Sequence, residues 1–317
     1  MQSVLCSHVT LFGRRNMFSN LFVFRLTKAW SLTSAMLDGI IAKNEFVACQ
    51  PREAKSIGWT SVYEDGPKHI STERCTLLAV KIETKTVPGD VLKRRVKKMV
   101  QSFEKEKGYK PGRKEQKMMK EEAYDQLLPK VLEKQSLVRL IIDQKDGWIT
   151  VDTSSAPKCD DVIGFLLRAV DGIPLASVKS NRNPAEAMAE WLTTGDAPDD
   201  FSIDRDCELK GTEEEKPMVR YARLSLEREE IAQHIGEGKR PTRLAMTYKD
   251  RLSFVLTDKF QIKKLELLDS GTEEKPRSDE EMETVAQSNL TILSRELRRF
   301  LPALLEGLGG EGDYSSI

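Results

Sequence analysis

The stretch NLFVFRL, Asn20–Leu26, is apolar at most positions and polar on both flanks, so it predicts a first buried strand. Residues 33–44 predict a short helix, and 75–84 alternate well enough for a second strand. From Leu92 the period changes. Leu92, Val96, Met99, Val100 and Phe103 recur three and four apart, the spacing of one helical face. Asp90 can cap this helix, which runs to about Lys107, where GYKPG supplies Gly108, Pro111 and Gly112 to stop and turn it. A second helix starts near Arg113 and runs toward Lys134, with Pro129 to kink or end it. Two helices around a tight loop make a hairpin.

VRLIIDQKDGWITVD then places two β-rich runs around Asp146-Gly147, a β-hairpin pattern. Residues 160–170 and 184–194 are helical, the latter opened by Asn183 as cap and Pro184 in the first turn. Residues 212–216 read as an acidic loop. Short strands are expected at 219–224, 243–248, 253–256 and 262–267, and a helix at 227–237. Residues 270–283 read as an exposed connection, 284–305 as a helix, and EGLGGEGDYSSI as its stop and tail. Strands and helices alternate irregularly, so the expected class is α+β, built of several small mixed subdomains. Their expected bounds are 17–87, the helical hairpin 88–135, 136–210, a strand-rich 211–268, and 269–317.

Composition narrows the class. The 317 residues are 39% hydrophobic and 32% charged, with 50 basic against 50 acidic side chains, enough apolar content for packed cores. Cys6, Cys49, Cys75, Cys159 and Cys207 are scattered singly, which suits reduced thiols rather than a zinc or redox pair. His8, His69 and His234 have no zincin spacing. Nothing approaches the roughly 18 apolar residues of a membrane span. GRRNMFSNLFVF pairs arginines ahead of apolar residues, but its apolar run breaks at Arg25 and lacks a small-residue cleavage site. Met17 is the expected natural start, with 1–16 an upstream extension.

Charge is where this neutral chain is uneven. Residues 92–120 hold twelve basic and three acidic side chains, net +9. On a helical wheel Lys93, Arg94, Lys97, Lys98 and Lys105 lie opposite the apolar stripe, with Arg95 at the border. Lys110 in the loop and Arg113, Lys114, Lys117 and Lys120 beyond it extend the set. A helix of this length spans roughly 24 Å. Beside it duplex DNA would place roughly fourteen phosphate charges. Solvated helix faces usually intersperse Glu with Lys, yet 92–103 contains no acid. An anionic membrane fits less well, because the apolar stripe lacks Trp and is needed for packing. No recognition-helix, zinc-finger or RNP motif is present, so the pattern predicts sequence-independent phosphate binding.

Several segments resemble the RdgC family of recombination-associated bacterial nucleoid proteins over nearly the whole length from Met17. They are FSNLFVFRLT, IGW at 57–59, LLP at 127–129, GWITVDTSSAPKCDDVIGFLL, AEWL at 189–192, EEIAQHIGEGK at 229–239 and LLEGLGGE at 304–311. The resemblance implies a cytoplasmic, nucleoid-associated homodimer closed into a ring around double-stranded DNA; whether single-stranded DNA is also a ligand stays open at this point. It also implies functional antagonism with RecA, by occupancy of DNA. Its ring contacts map onto Leu128 within LLP and Leu132 just after it, and onto Arg223 and Leu224. Relatives can carry an aromatic where this chain has Leu132, and a Lys-Gln pair where it has Arg223 and Leu224, so ring closure here rests on different side chains.

One arrangement suggests catalysis. Glu208-Leu-Lys210, with Asp199, Asp200 or Asp206 upstream, has the carboxylates to hold Mg²⁺ and a lysine to steady a nucleophile. ExK triplets arise readily in so charged a chain, and DRDCELK reads as a surface acidic loop. GxxxxGK[ST] and GxSxG are absent. The expected protein therefore binds DNA without catalytic residues, metal or cofactor. A Mg²⁺-dependent exonuclease is the alternative, and a structural nucleoid protein unrelated to RecA a third.

Overall fold

The computed structural model describes residues 18–211, 217–222, 228–268 and 279–314. The expectations for 1–16, 212–216 and most of 270–283 lie outside the described residues. In chain order the first elements are strand β1 (Asn20–Leu26), helix α1 (Ser34–Lys43), and strands β2 (Lys55–Thr60), β3 (His69–Ser71) and β4 (Cys75–Lys85). Helices α2 (Gly89–Lys107) and α3 (Arg113–Leu127) follow, then a 3-10 turn (Leu128–Lys130) and strands β5 (Glu133–Asp143) and β6 (Trp148–Asp152). Next come α4 (Ala156–Ala169), β7 (Leu175–Ser177), α5 (Pro184–Thr194), β8 (Phe201–Lys210) and β9 (Met218–Tyr221). The last are α6 (Arg228–Gly236), β10 (Arg240–Tyr248), β11 (Leu252–Thr257), β12 (Ile262–Leu267) and α7 (Asp279–Gly307). The class is mixed α/β with a large antiparallel sheet and, among the described residues, seven α-helices. The chain folds as two compact units.

The larger unit comprises 18–38, Ser61–Ala79 and 139–314. Its strands run in the order β5-β6-β1-β12-β11-β10-β8-β9, with β7 also on β1 and β3 on β4. β1 sits centrally, with Phe22 opposite Val151 of β6 and Leu21 opposite Ile262 of β12. α7 presents Ala286, Leu290, Leu293, Leu297, Phe300, Leu301 and Leu304 at helical spacing, all buried in one core. Phe300 meets Phe254 at 4.7 Å, Tyr248 at 5.7 Å and Phe201 at 6.2 Å between ring centroids. β5 and β6 are buried on both faces: Ile141 and Trp148 join this core, while Leu140, Ile142, Ile149 and Val151 are buried opposite. That is why their sequence reads as a continuous apolar run.

A cationic knot closes the β5–β6 turn. Asp146 takes Arg298 at 2.6 Å and Arg74 at 3.0 Å, and its carbonyl accepts from Arg25. Arg25 lies 4.3 Å over the Trp148 ring and pairs with Glu311 at 2.8 Å. Gly147 turns the chain at φ 72, where a Cβ would stand 2.7 Å from the Arg25 guanidinium.

The smaller unit comprises Gly39–Thr60 and Val80–Val138 and carries the strand order β2-β4-β5. The Trp59 and Phe46 backbones pair, and Gly58 is required because a Cβ there would sit 2.4 Å from the Phe46 Cα. Glu83 is buried and accepts from Gln135 Nε2 at 2.7 Å and the Cys49 amide at 2.8 Å, while Lys85 donates to the Cys49 and Gln50 carbonyls.

Several boundaries correct the sequence reading. α2 begins at Gly89 with Pro88 in the capping position and no side-chain cap, so Asp90 is a first-turn residue rather than the cap. α3 stops at Leu127 rather than near Lys134, because Pro129 enters a 3-10 turn and β5 already starts at Glu133. DRDCELK is the body of β8, not a loop: Cys207 and Leu209 face the core between outward charges. Strands β2, β3 and β7 were not expected at all; two of them are only three residues long.

Hydrogen bonds from Gln135 and from the Cys49 amide hold the Glu83 carboxyl below its ordinary value of 4.5. Its ionised form therefore stabilises the fold fully above pH 4.5, and that contribution disappears as pH falls through the lowered folded value. Glu83→Gln should destabilise the protein most at neutral pH, with the gap to the parent closing in acid. Urea denaturation from neutral to acid pH measures this; a gap constant with pH would contradict it.

Candidate nucleic-acid interface

The basic hairpin lies wholly within the smaller unit, and its backbone is well specified. Gly108 ends α2 in the left-handed region at φ 76, donating to the Glu104 carbonyl at 2.9 Å. Glu115 accepts from the Gly112 amide at 2.7 Å, one half of a capping box that starts α3. Gln116 donates to the Pro111 carbonyl at 3.0 Å, and Pro111 is itself buried. Phe103 and Tyr109 meet edge to face at 5.4 Å. Across the helices, Arg95 donates to Gln126 at 2.7 Å, and Gln126 to Glu122 at 3.0 Å.

Packing within this arm is light. α2 has no buried residue, and the stripe of Leu92, Val96, Met99, Val100 and Phe103 is half-buried. Ala123 is the buried residue of α3; its small side chain permits close approach. The arm therefore stands mostly in solvent, with its charge turned outward.

All ten basic residues read from the sequence are exposed: Lys93, Arg94, Lys97, Lys98, Lys105, Lys110, Arg113, Lys114, Lys117 and Lys120. Arg94 pairs with Asp90 at 3.2 Å and Lys117 with Glu121 at 3.9 Å, both solvent-exposed pairs that hold weakly. The other eight make no ion pair with a described residue. Sequence reasoning stopped at Lys120 and so missed an asymmetry. Glu121, Glu122 and Asp125 follow immediately, so Gly89–Leu127 holds twelve basic and seven acidic side chains, net +5. The positive surface is thus the outer face of α2 and the loop end of the arm, rather than the whole hairpin.

The remaining candidates are dispersed. Leu128 is buried at 2% exposure, whereas Leu132 is 89% exposed just ahead of β5. Arg223 and Leu224 lie outside the described residues. Nearby β9 ends the strand order of the sheet, with Met218 exposed. In β8, Glu208 accepts from Thr242 Oγ1 at 2.9 Å and faces Arg243 at 3.7 Å, while Lys210 is exposed. Asp199 is exposed, and Asp200 pairs with Lys249 at 2.9 Å. Asp204 accepts from Thr247, and burial, then its neighbour Asp206, raises its pKa. Among the described residues no three His, Cys, Asp or Glu side chains converge to hold a metal ion, and no helix is long and apolar enough to cross a membrane.

These features define a mixed α/β protein that displays a cationic helical arm. The family model described as "Putative exonuclease, RdgC" matches residues 17–311. The chain is 39% identical over 297 residues to the recombination-associated protein RdgC of Dechloromonas aromatica, across 93% of this chain and 98% of that protein. Identity is 36% to the protein of that name from Herminiimonas arsenicoxydans and 37% to that from Janthinobacterium sp., with the same coverage. The chain belongs to the RdgC family.

Since the arm has so little buried surface, it should open before the larger unit does. Ala123→Asp buries a charge at the helix–helix contact and should strip hydrogen-exchange protection from 89–127 while β10 and β11 keep theirs. Unchanged protection in the arm would show that this contact does not hold it.

Proposed function

We propose that this protein binds DNA without regard to sequence and acts in homologous recombination, as a dimer that closes around duplex DNA and restrains RecA-promoted exchange by occupying it. The observation that carries the reading is the outer face of α2, where Lys93, Arg94, Lys97, Lys98 and Lys105 are exposed and, among the described residues, only Arg94 has an acidic partner. At about 1.5 Å per residue α2 is roughly 28 Å long. That length faces roughly sixteen duplex phosphates, so five contacts from one helix are geometrically modest. Membership in a family whose named members are recombination-associated supports the cellular role. Single-stranded DNA is a second ligand on the same electrostatic grounds, and the nucleoid is the expected location.

Closure of two copies into a ring is part of the proposal. Leu132 supports it as an exposed apolar side chain just after the arm in sequence, whereas Leu128 is buried. Arg223 and Leu224 are proposed for the second contact. No cofactor is needed. The exonuclease alternative draws on the family description and on Glu208 and Lys210 sharing a face of β8. Against it, the Glu208 carboxylate is engaged by Thr242 and Arg243.

Binding to random duplex should fall with salt at a log–log slope of about −5 to −9, from six to ten phosphate contacts across a dimer. Changing Arg94, Lys97 and Lys98 together to Gln should weaken binding at least about tenfold and flatten that slope, with little change in melting temperature. The same titrations with Mg²⁺ should leave linear DNA intact. A slope near −1, unchanged affinity in the triple variant, or metal-dependent degradation abolished by Glu208→Gln would overturn the reading.

Encirclement has its own signature, since a ring leaves linear DNA by sliding off an end but must open to leave a circle. Dissociation from closed-circular duplex in moderate salt should be slower than from linear duplex. Leu132→Asp, which puts a charge into the proposed contact, should abolish that difference while initial binding changes less. Equal dissociation of the parent protein from both forms would leave binding open-faced.

A further inference from the structure

The arm ends in a feature that phosphate binding alone does not use. Tyr109 stands at the tip of the hairpin with 57% of its surface exposed. Scattered exposed aromatics are ordinary, but this one is held. Gly108 sets its entry in the left-handed region, Phe103 meets its ring edge to face at 5.4 Å, and Pro111 is buried on its far side in sequence. Glu115 and Gln116 fix the two residues that follow, through the Gly112 amide and the Pro111 carbonyl. Lys105, Lys110, Arg113 and Lys114 surround it in sequence, all exposed and none ion-paired with a described residue.

We infer that the arm tip is a binding site for unpaired bases, in which Tyr109 stacks on one base of a single strand while Lys110 and Arg113 hold the adjoining phosphates. This inference rests on the DNA-binding reading above and deepens it. Duplex DNA keeps its bases in the stack and offers an aromatic side chain little beyond backbone. A single strand offers a free π-face between two charges, which is the complement of an aromatic between cations. Because the loop is already fixed by its cap and hydrogen bonds, little ordering is lost when a base docks. The site would make the protein sensitive to gaps and frayed ends without reading their sequence, since every base has a face to stack.

The test compares labelled oligo-dT with random duplex by fluorescence anisotropy at one salt concentration, using the full-length parent, Tyr109→Ala and Tyr109→Trp. A second readout is the fluorescence of a single 2-aminopurine placed in the oligo-dT. Tyr109→Ala should weaken oligo-dT binding about five- to tenfold and duplex binding by less than about twofold. It should also relieve quenching of the 2-aminopurine, and Tyr109→Trp should restore both. Since Tyr109 is exposed, melting curves of the variants should overlay the parent's. Equal loss on both ligands, or no loss on either, overturns the inference and leaves duplex binding intact. So does a parent that binds duplex but not oligo-dT. Displacement of oligo-dT by poly-glutamate at equal charge would assign the tip to an acidic peptide instead and overturn it too. A parent that binds neither DNA removes the reading beneath it.

Discussion

Like-charge repulsion along one helix is the constraint to which the smaller unit is fitted. Lys93 and Lys97, and Arg94 and Lys98, stand four apart on the outer face of α2, with Arg94 and Lys97 three apart. Each such pair costs about 0.2–0.5 kcal/mol in an isolated helix. Local offsets sit at the two ends. Asp90 in the first turn meets both the helix dipole and Arg94, while Lys105 and Lys107 occupy the last turn, where positive charge is favoured. The middle of the helix has no such relief, and its apolar stripe is only half-buried. An anionic ligand along that face, as the proposed function supplies, would remove the repulsion.

What the sequence disclosed follows from which forces are local. β1, β12 and α5 were legible to the residue, because apolar pattern, Asn183-Pro184 and flanking polar residues agree there. The exposure of ten basic side chains was legible too, since a buried unpaired charge is prohibitively costly. β8 was not. Its outward positions are charged and its inward Cys207 and Leu209 are few, so the alternation looked like acidic loop until pairing with β10, Leu244 opposite Cys207 and Tyr248 opposite Phe201, gave it a register. Helix α3 was read toward Lys134 because Pro129 could kink or end it, and a kink and a stop leave the same mark in sequence; the 3-10 turn over Leu128–Lys130 makes it a stop. The Arg95–Gln126 bond and the knot of Arg25, Arg74 and Arg298 on Asp146 join residues distant in sequence, and no period announces them.

The family's exonuclease description finds mixed support in the side chains of this chain. A strand does place Glu208 and Lys210 on one face, a better setting for metal-assisted hydrolysis than the loop the sequence suggested. The neighbouring carboxylates, however, are committed elsewhere. Asp204 is bonded to Thr247 with a raised pKa, which opposes the ionised form a divalent cation needs, and Asp200 is taken by Lys249. Binding would have to displace those partners first. The larger unit is thus better suited to hold its sheet than to assemble a hydrolytic centre.

A neutral chain that binds a polyanion must concentrate charge rather than accumulate it. With 50 basic and 50 acidic residues overall, long-range attraction is small, and under the proposed function affinity would depend on the few phosphates that one arm can reach. A single non-specific contact of this size holds DNA with a Kd on the order of 10⁻⁴ M. Joining two copies turns the second contact into an intramolecular one at an effective concentration on the order of 10⁻³ M. The proposed pair would then bind with a Kd on the order of 10⁻⁵ M, about tenfold tighter without one further basic residue. Such binding keeps a steep salt dependence, because every contact is ionic. Under the proposed function dimerisation, rather than more lysine on α2, would give a neutral protein a lasting hold on DNA, and Leu132, exposed and uncharged just after the arm, is the kind of side chain such a pairing would need.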